Sequence, residues 1–217
     1  MNSGLRDAHN LCWKISLVLQ GQASPHLLET YHEERYPHVA QMILFSALLG
    51  KVIMPTNRFI ALLRDLFFRG LNTLPPLREV LTEMRVKPQP RYARGFLLPT
   101  SSKENKALRG VLLPQPSVQT QRGECLLLDD ALGNGFALLR RVDDMAVSVQ
   151  RLFDNDAVET HFIASAWGEL STLFGNDGEL CILVRPDRYV FGALVAGKGD
   201  DTLQRICRRC YNARNST

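Results

Sequence analysis

The sequence opens with Met-Asn-Ser-Gly-Leu-Arg-Asp-Ala-His-Asn-Leu-Cys-Trp-Lys-Ile over residues 1–15, and this stretch governs the interpretation of the rest. Asn2, Ser3 and Gly4 are residue types that cap helices and let backbone pass close to an anion or an electron-rich ring. Apolar residues then recur at spacings of three and four, the period of one helix face, and they are Leu5, Ala8, Cys12, Ile15 and Leu19. We predict a ligand-contacting loop that leads into an amphipathic helix ending at Gly21. An ordinary helix cap explains the same residue types.

Prolines divide the following part of the chain into further helices. Ser24 and Pro25 form a capping pair for the second helix, and Pro37 kinks or resets it. The helices predicted after the first begin at Pro25, His38, Arg58 and Pro75. Residues 87–123 then carry five prolines and a polar run, which is typical of linker and irregular loop.

Short apolar runs beyond this linker indicate strands. Residues 136–139 and 161–164 match buried strands, and residues 180–184 and 189–194 form a hairpin across Arg185-Pro186-Asp187-Arg188. A helix over residues 202–211 follows. The whole pattern predicts an α+β protein with three parts, namely a helical segment at 1–90, a linker at 91–123 and an α/β domain at 124–217.

Composition and charge exclude several classes of protein. The 217 residues are 45% hydrophobic, which allows a sizeable core, and their net charge of +4 is mild. The densest basic group is interpreted as a solvated helix face, so we predict no nucleic-acid binding; it comprises Arg205, Arg208 and Arg209. The apolar stretch 42–54 falls short of the ~20 residues that cross a bilayer. We therefore predict no membrane span and, without a signal-peptide pattern, a cytoplasmic protein.

Five dispersed cysteines indicate a reducing compartment without a disulfide framework. Cys207 and Cys210 have the C-x-x-C form, but they lie late in a predicted helix, whereas redox thiolates are stabilised at helix N-termini. No second ligand pair accompanies them, so we predict no metal site. The histidines, such as His32 and His38, are predicted to lie on the surface.

The opening stretch resembles the last flavin-contacting segment of the single-component FAD-dependent aromatic hydroxylases, where Met-Asn-x-Gly-x-x-Asp-Ala-x-Asn-Leu-x-Trp-Lys-Leu recurs. Asp7, Asn10, Trp13 and Lys14 match that motif. Later segments resemble one branch of the family, the 3-(3-hydroxyphenyl)propionate hydroxylases, and they include Glu34-Arg35, Pro37-His38, Leu74-Pro75-Pro76, Lys87-Pro88-Gln89-Pro90 and Arg185-Pro186-Asp187-Arg188-Tyr189-Val190.

The resemblance implies a function and a set of partners. It implies that Met1, Asn2 and Ser3 contact the flavin, and that the parent enzyme uses FAD, O2 and NADH or NADPH to hydroxylate a phenolic aromatic acid. It also implies a thioredoxin-like C-terminal domain without a redox cysteine pair, in which residues 128–133 are a strand end and turn.

The most important departure from the family is that the sequence contains no G-x-G-x-x-G turn for the ADP half of FAD. The family's Gly-Asp segment and the middle sheet that supplies most of the substrate pocket are missing too, and residues 141–173 are shorter and less alike than expected. We therefore interpret the chain as the C-terminal portion of a hydroxylase, inactive by itself. Two alternatives stay open. One is a non-catalytic assembly or dimerisation module built on the thioredoxin-like half, which allows a homodimer. The other is a thiol redox protein that uses Cys207 and Cys210.

Overall fold

The structure is a computed structural model that describes residues 2–72, 90–99, 107–120, 123–142, 146–152, 159–164, 170, 173–174 and 180–195. The chain separates into two compact units. The first joins Met1–Glu34 to Arg91–Thr217, and the second is Arg35–Pro90. The division predicted from sequence, at 1–90, 91–123 and 124–217, stays a prediction.

The first unit is built on a seven-stranded sheet in the order β2-β1-β5-β4-β3-β6-β7. Its strands are β1 (Ser117–Thr120), β2 (Cys125–Leu127), β3 (Phe136–Arg141), β4 (Ala146–Leu152), β5 (Glu159–Ala164), β6 (Leu180–Val184) and β7 (Val190–Val195). These strands confirm the predicted ones at 136–139 and 161–164 and the predicted hairpin. Every strand pair among the described residues is antiparallel. β3 and β4 must pair antiparallel, because only four residues connect them and a parallel pair needs a crossover of a dozen or more residues.

Both faces of this sheet are buried. Ala137 and Leu139 lie in one apolar cluster, whereas Phe136 and Leu138 lie in another, as the alternation of side chains along a strand requires. The second cluster includes Trp13 of the first helix, α1 (Asn2–Leu19). β6 is accordingly apolar throughout, and all five of its residues are buried.

The prediction that residues 128–133 are a strand end and turn is wrong. Residues 128–132 form a short helix, α4 (Leu128–Leu132), and Gly133 follows it with a φ of 70°. Leu128, Ala131 and Leu132 are spaced along one helix face and are buried in the same cluster as Ala137. Burial of that face against the sheet favours the helix.

Part of the segment predicted as a linker, 91–123, packs against the sheet. The Leu98 amide donates to the Phe191 carbonyl at 2.9 Å, and the Gly110 amide donates to the Val190 carbonyl at 2.8 Å. Tyr92 stacks on Tyr189 with ring centroids 3.9 Å apart. The prolines keep this segment irregular, yet its apolar side chains still reach the core.

The helices of the N-terminal region agree with prediction except at Pro37. After a 3-10 turn at Pro25–Leu28, α2 (Glu29–Ile53) runs without interruption, so Pro37 neither resets nor ends it. α3 (Arg58–Asn72) follows. The helices predicted at 75–85 and 202–211 lie outside the described residues.

The helical stretch Pro25–Ile53 is long and apolar enough to cross a membrane by length and composition, and little of its apolar window is buried. Core helices of soluble proteins pass the same test. The sequence prediction of no membrane span considered only residues 42–54, because it treated Pro37 as a helix boundary.

Candidate functional site

α1 buries a different face from the predicted one. Leu5 and Leu19 are 67% and 81% exposed, whereas Asn10 and Lys14 are fully buried and Trp13 nearly so. The predicted apolar face is therefore wrong. Asn10 and Lys14 lie one helical turn apart, so both lie on the same side of α1, where they form hydrogen bonds with buried polar side chains.

The predicted flavin contacts lie at the start of this helix. Met1 lies outside the described residues, and Asn2 and Ser3 belong to the first turn of α1 rather than to a preceding loop. The N–H groups of a first turn have no acceptor within their helix. A Cβ atom on Gly4 would meet no atom of the described residues within 4 Å, so the space immediately beside Gly4 is open in this part of the chain.

Glu34 on α2 is the acceptor that holds α1. Its Oε2 atom accepts from Lys14 Nζ at 2.8 Å and from Asn10 Nδ2 at 2.6 Å. Its Oε1 atom accepts from the Phe96 amide at 2.8 Å. Arg185 completes the shell with two bonds, from Nη1 to Oε1 and from Nη2 to Oε2, both 2.8 Å long. Glu34 therefore joins α1, the 91–99 segment and the end of β6.

Arg185 is the second centre of this cluster. It forms a two-pronged ion pair with Asp187, at 2.9 Å from Nε and 2.7 Å from Nη2. Its guanidinium carbon lies 5.2 Å from the ring centroid of Trp13 and 5.3 Å from that of Tyr92, within the range of cation–π attraction. A planar cation with five donors suits this position, which a lysine would leave partly unsatisfied.

The backbone at Gly95 makes room for the carboxylate. Gly95 has a φ of 107°, and a Cβ atom there would lie 2.3 Å from Glu34 Cγ. Only glycine tolerates both the positive φ and the close approach.

The cluster of Asn10, Lys14, Glu34, Arg185 and Asp187, called here the buried ion network, pairs two cations with two anions. Burial favours the neutral form of Glu34, but the hydrogen bonds and charge of Arg185, with those of Lys14, outweigh it and lower the pKa of Glu34 to about 2. Burial lowers the pKa of Lys14 to about 8 against the pull of Glu34. Burial opposes the charge of Arg185 too, yet Asp187 and Glu34 raise the pKa of its guanidinium.

This network has no access to solvent, so it positions α1 rather than reacting with a substrate. The family resemblance includes the members of this network, but the sequence did not predict that they contact one another. A usable signal was present, because Asn10 and Lys14 flank Trp13 on the side of α1 away from Leu5. Among the described residues, no group of three or more His, Cys, Asp or Glu is arranged to hold a metal ion.

The predictions for His38 and for the cysteines can be compared with the structure separately. His38 is buried, which corrects its predicted surface position, because α2 continues through Pro37 and carries His38 to an enclosed side. Cys207 and Cys210 lie outside the described residues. Of the described cysteines, Cys12 and Cys125 are exposed and Cys181 is buried.

The fold and this site define a class of protein. The FAD binding domain family matches residues 1–46, which include α1 and the start of α2, and the HcaD C-terminal domain family matches residues 110–166, which include β1 to β5. The fold is similar to aklavinone-11 hydroxylase solved with FAD and aklavinone, with a TM-score of 0.61 and 20% identity over 97% of this chain and 40% of that one. It is also similar to OxyS anhydrotetracycline hydroxylase from Streptomyces rimosus, with a TM-score of 0.60 and 25% identity over 97% and 40% of the two chains. The chain is thus similar to flavin-dependent hydroxylases in these two regions and in fold.

Curated relatives narrow this class. The chain is 36% identical, over 223 residues, to the 3-(3-hydroxy-phenyl)propionate/3-hydroxycinnamic acid hydroxylase of Mycobacterium sp. (strain KMS), which covers 92% of this chain and 39% of that protein. It is 32% identical to the hydroxylase of the same name from Shigella sonnei (strain Ss046), over 94% of this chain and 41% of that protein. The chain thus spans about two fifths of the length of these relatives.

Proposed function

We propose that this chain contributes α1 and the C-terminal sheet to a FAD-dependent monooxygenase, which uses NADH or NADPH and O2 to hydroxylate a phenolic aromatic acid similar to 3-(3-hydroxyphenyl)propionate. One observation carries the proposal. The match to the FAD binding domain family falls on α1, where the first turn has open space beside Gly4. The substrate class follows from the names of the relatives. A cytoplasmic location is part of the same proposal.

In this proposal the start of α1 contacts one edge of a flavin ring. Met1, Asn2 and Ser3 would hold the ring through backbone N–H groups that have no partner in the helix. The positive end of the helix dipole stabilises negative charge by about 0.3–1 kcal/mol when exposed and up to about 2 kcal/mol when partly buried. FAD, when bound, supplies the oxygen chemistry.

The buried ion network keeps this helix end in place. Asn10 and Lys14 lie on α1 about two and three turns beyond Ser3. A rotation or slide of α1 would break their bonds to Glu34 and leave buried charges unpaired, which is strongly destabilising. The network therefore sets where the first-turn amides point.

One helix end contributes too little free energy to hold FAD by itself, and the sequence lacks the glycine-rich turn that binds the ADP half. We expect the 217-residue chain to emerge from desalting without stoichiometric flavin and to show no NADH-dependent hydroxylation. Supplying the part of the Mycobacterium hydroxylase that this chain does not span should restore both. Tight FAD binding by the chain alone, or a restored protein without flavin, would contradict the proposal.

Gly4→Ala tests the flavin edge directly in the restored protein. The added methyl group occupies the open space, so we expect weaker FAD binding with unchanged folding. Gly50→Ala is the matched control, because Gly50 is also helical and open, and it should leave FAD binding unchanged. Equal FAD affinity of the two variants would show that the start of α1 does not contact the flavin.

The alternative function is assembly, through the thioredoxin-like domain predicted at 124–217. The exposed apolar side chains of α2 and α3 lie outside that domain, and they offer a separate surface for assembly, since a partner would cover them. The thioredoxin-like assignment rests on the family resemblance, and a crystal structure of the chain would test it. A defined flavin-free oligomer would support assembly over hydroxylation.

A further inference from the structure

α2 and α3 each carry an apolar stripe where a water-facing helix is normally polar. The stripe on α2 is Leu44, Leu48 and Val52, and the stripe on α3 is Phe59, Leu63 and Leu66, each spaced by one helical turn. We call these six residues the α2–α3 surface. Their exposed fractions are 70%, 60%, 37%, 78%, 66% and 55% in that order.

The two stripes lie on consecutive helices of the second unit, separated by four residues. Arg64 of α3 donates a hydrogen bond from its guanidinium to the Ile53 carbonyl at the end of α2. Phe45 and Leu49 on α2 are half-buried, whereas Leu44 and Leu48 are exposed. Single exposed leucines are ordinary, but contiguous apolar surface beyond a few hundred Å² marks an interaction site.

A bilayer is a poor occupant of this surface. α3 has 15 residues, fewer than the ~20 needed to span, and carries Arg64 and Asp65 near its middle. α2 begins beside Glu34, which is held in the buried ion network by Arg185. α3 is therefore too short to span, and the stretch of membrane length on α2 includes Glu34, which the buried ion network already holds.

A second copy of the chain is disfavoured by charge. The charged residues between 36 and 72 are Lys51, Arg58, Arg64, Asp65 and Arg69, so four are basic and one is acidic. Self-association would bring like charges together, which is destabilising. The surface fits a partner with an apolar groove bordered by carboxylates.

We propose that the α2–α3 surface docks the part of a FAD-dependent hydroxylase that this chain does not span. The inference rests on the proposed function. The curated relatives are more than twice as long as the matched region, and the FAD binding domain family matches only residues 1–46, which end within α2. The rest of such a domain is the polypeptide whose packing would cover the apolar helices that continue it.

The test mixes the full chain with the complementary part of the Mycobacterium sp. (strain KMS) hydroxylase and measures Kd by calorimetry. Leu48→Gln with Leu63→Gln should weaken binding by about tenfold or more, because two apolar anchors are lost. Leu127→Gln is the matched control, since Leu127 is an exposed leucine on β2, 48% exposed and outside the surface. Glutamine is a good helix former, and circular dichroism verifies that each variant folds.

The outcomes separate this inference from the proposed function. Loss of binding only in the Leu48/Leu63 variant supports docking, and a complex that forms this way but holds no FAD refutes the function alone. Equal Kd values refute docking, even where FAD and hydroxylation are restored. A homodimer that the double variant dissolves, or sedimentation with phosphatidylcholine–phosphatidylglycerol vesicles that it abolishes, also overturns docking.

Discussion

Replacing Glu34 by glutamine tests the buried ion network most directly. Glutamine has the shape of the carboxyl group but no charge, so Glu34→Gln leaves Lys14 and Arg185 facing an amide. The pKa of Glu34 falls from 4.5 to about 2 in the folded protein. At about 1.4 kcal/mol per pKa unit, this fall corresponds to about 3 kcal/mol in favour of the carboxylate. We expect Glu34→Gln to lower the free energy of unfolding at pH 7 by at least that amount.

The pH dependence supplies a second measurement of the same quantity. Because folding lowers the pKa of Glu34, its stabilisation is complete above pH 4.5 and is lost as the pH falls towards 2. Urea unfolding followed by circular dichroism should show this loss in the wild type, while Glu34→Gln lacks the share due to Glu34.

Glu29→Gln is the matched control for this experiment. Glu29 also lies on α2, but its ion pair with His26 is exposed on both sides. Such pairs contribute about 0–1 kcal/mol, so little change is expected. A Glu34→Gln protein within about 0.5 kcal/mol of the wild type at pH 7 would refute the account of the network, because uncharged surface changes stay within that range.

Three further predictions concern the same site. The wild type should become more stable between about pH 8 and 10.5, because the folded protein loses the Lys14 proton at a lower pH than the unfolded chain does. Lys14→Met should remove this rise, and urea titrations across that pH range would show whether it persists. Arg185→Lys should cost about 3 kcal/mol because paired bonds to Glu34 are lost, and a melting temperature equal to that of the wild type would disprove it. Gly95→Ala should destabilise by more than about 2 kcal/mol. Gly123→Ala has a φ of 86° and only an ordinary van der Waals contact, 3.8 Å from Gln119, so it should cost only the backbone share of about 1–2 kcal/mol. Equal free energies of unfolding for the two variants would exclude the clash.

Local patterns predicted most of the secondary structure. The hairpin around Arg185 and the strand at β3 were readable because apolar runs bounded by turn residues have few other solutions. α3 was predicted correctly because its apolar residues recur with the period of a helix. Pro37 was misjudged, because a long helix tolerates one missing hydrogen bond when its other bonds and its packing are kept.

The site was harder to predict because its members are distant along the chain. Glu34 and Arg185 are 151 residues apart, and no period links them. The wrong face of α1 was chosen because an apolar stripe usually marks the core, whereas here Asn10 and Lys14 are buried by ion pairing.

The long separation between Glu34 and Arg185 has a consequence for synthesis. α1 leaves the ribosome before the sheet does, yet Asn10 and Lys14 lack part of their partner shell until residue 185 has emerged. At about 5–20 residues per second, that delay is roughly 8–30 s for the 151 residues between Glu34 and Arg185. During this interval α1 to α3 expose unpaired charges and apolar side chains, which makes this part of the nascent chain prone to aggregate.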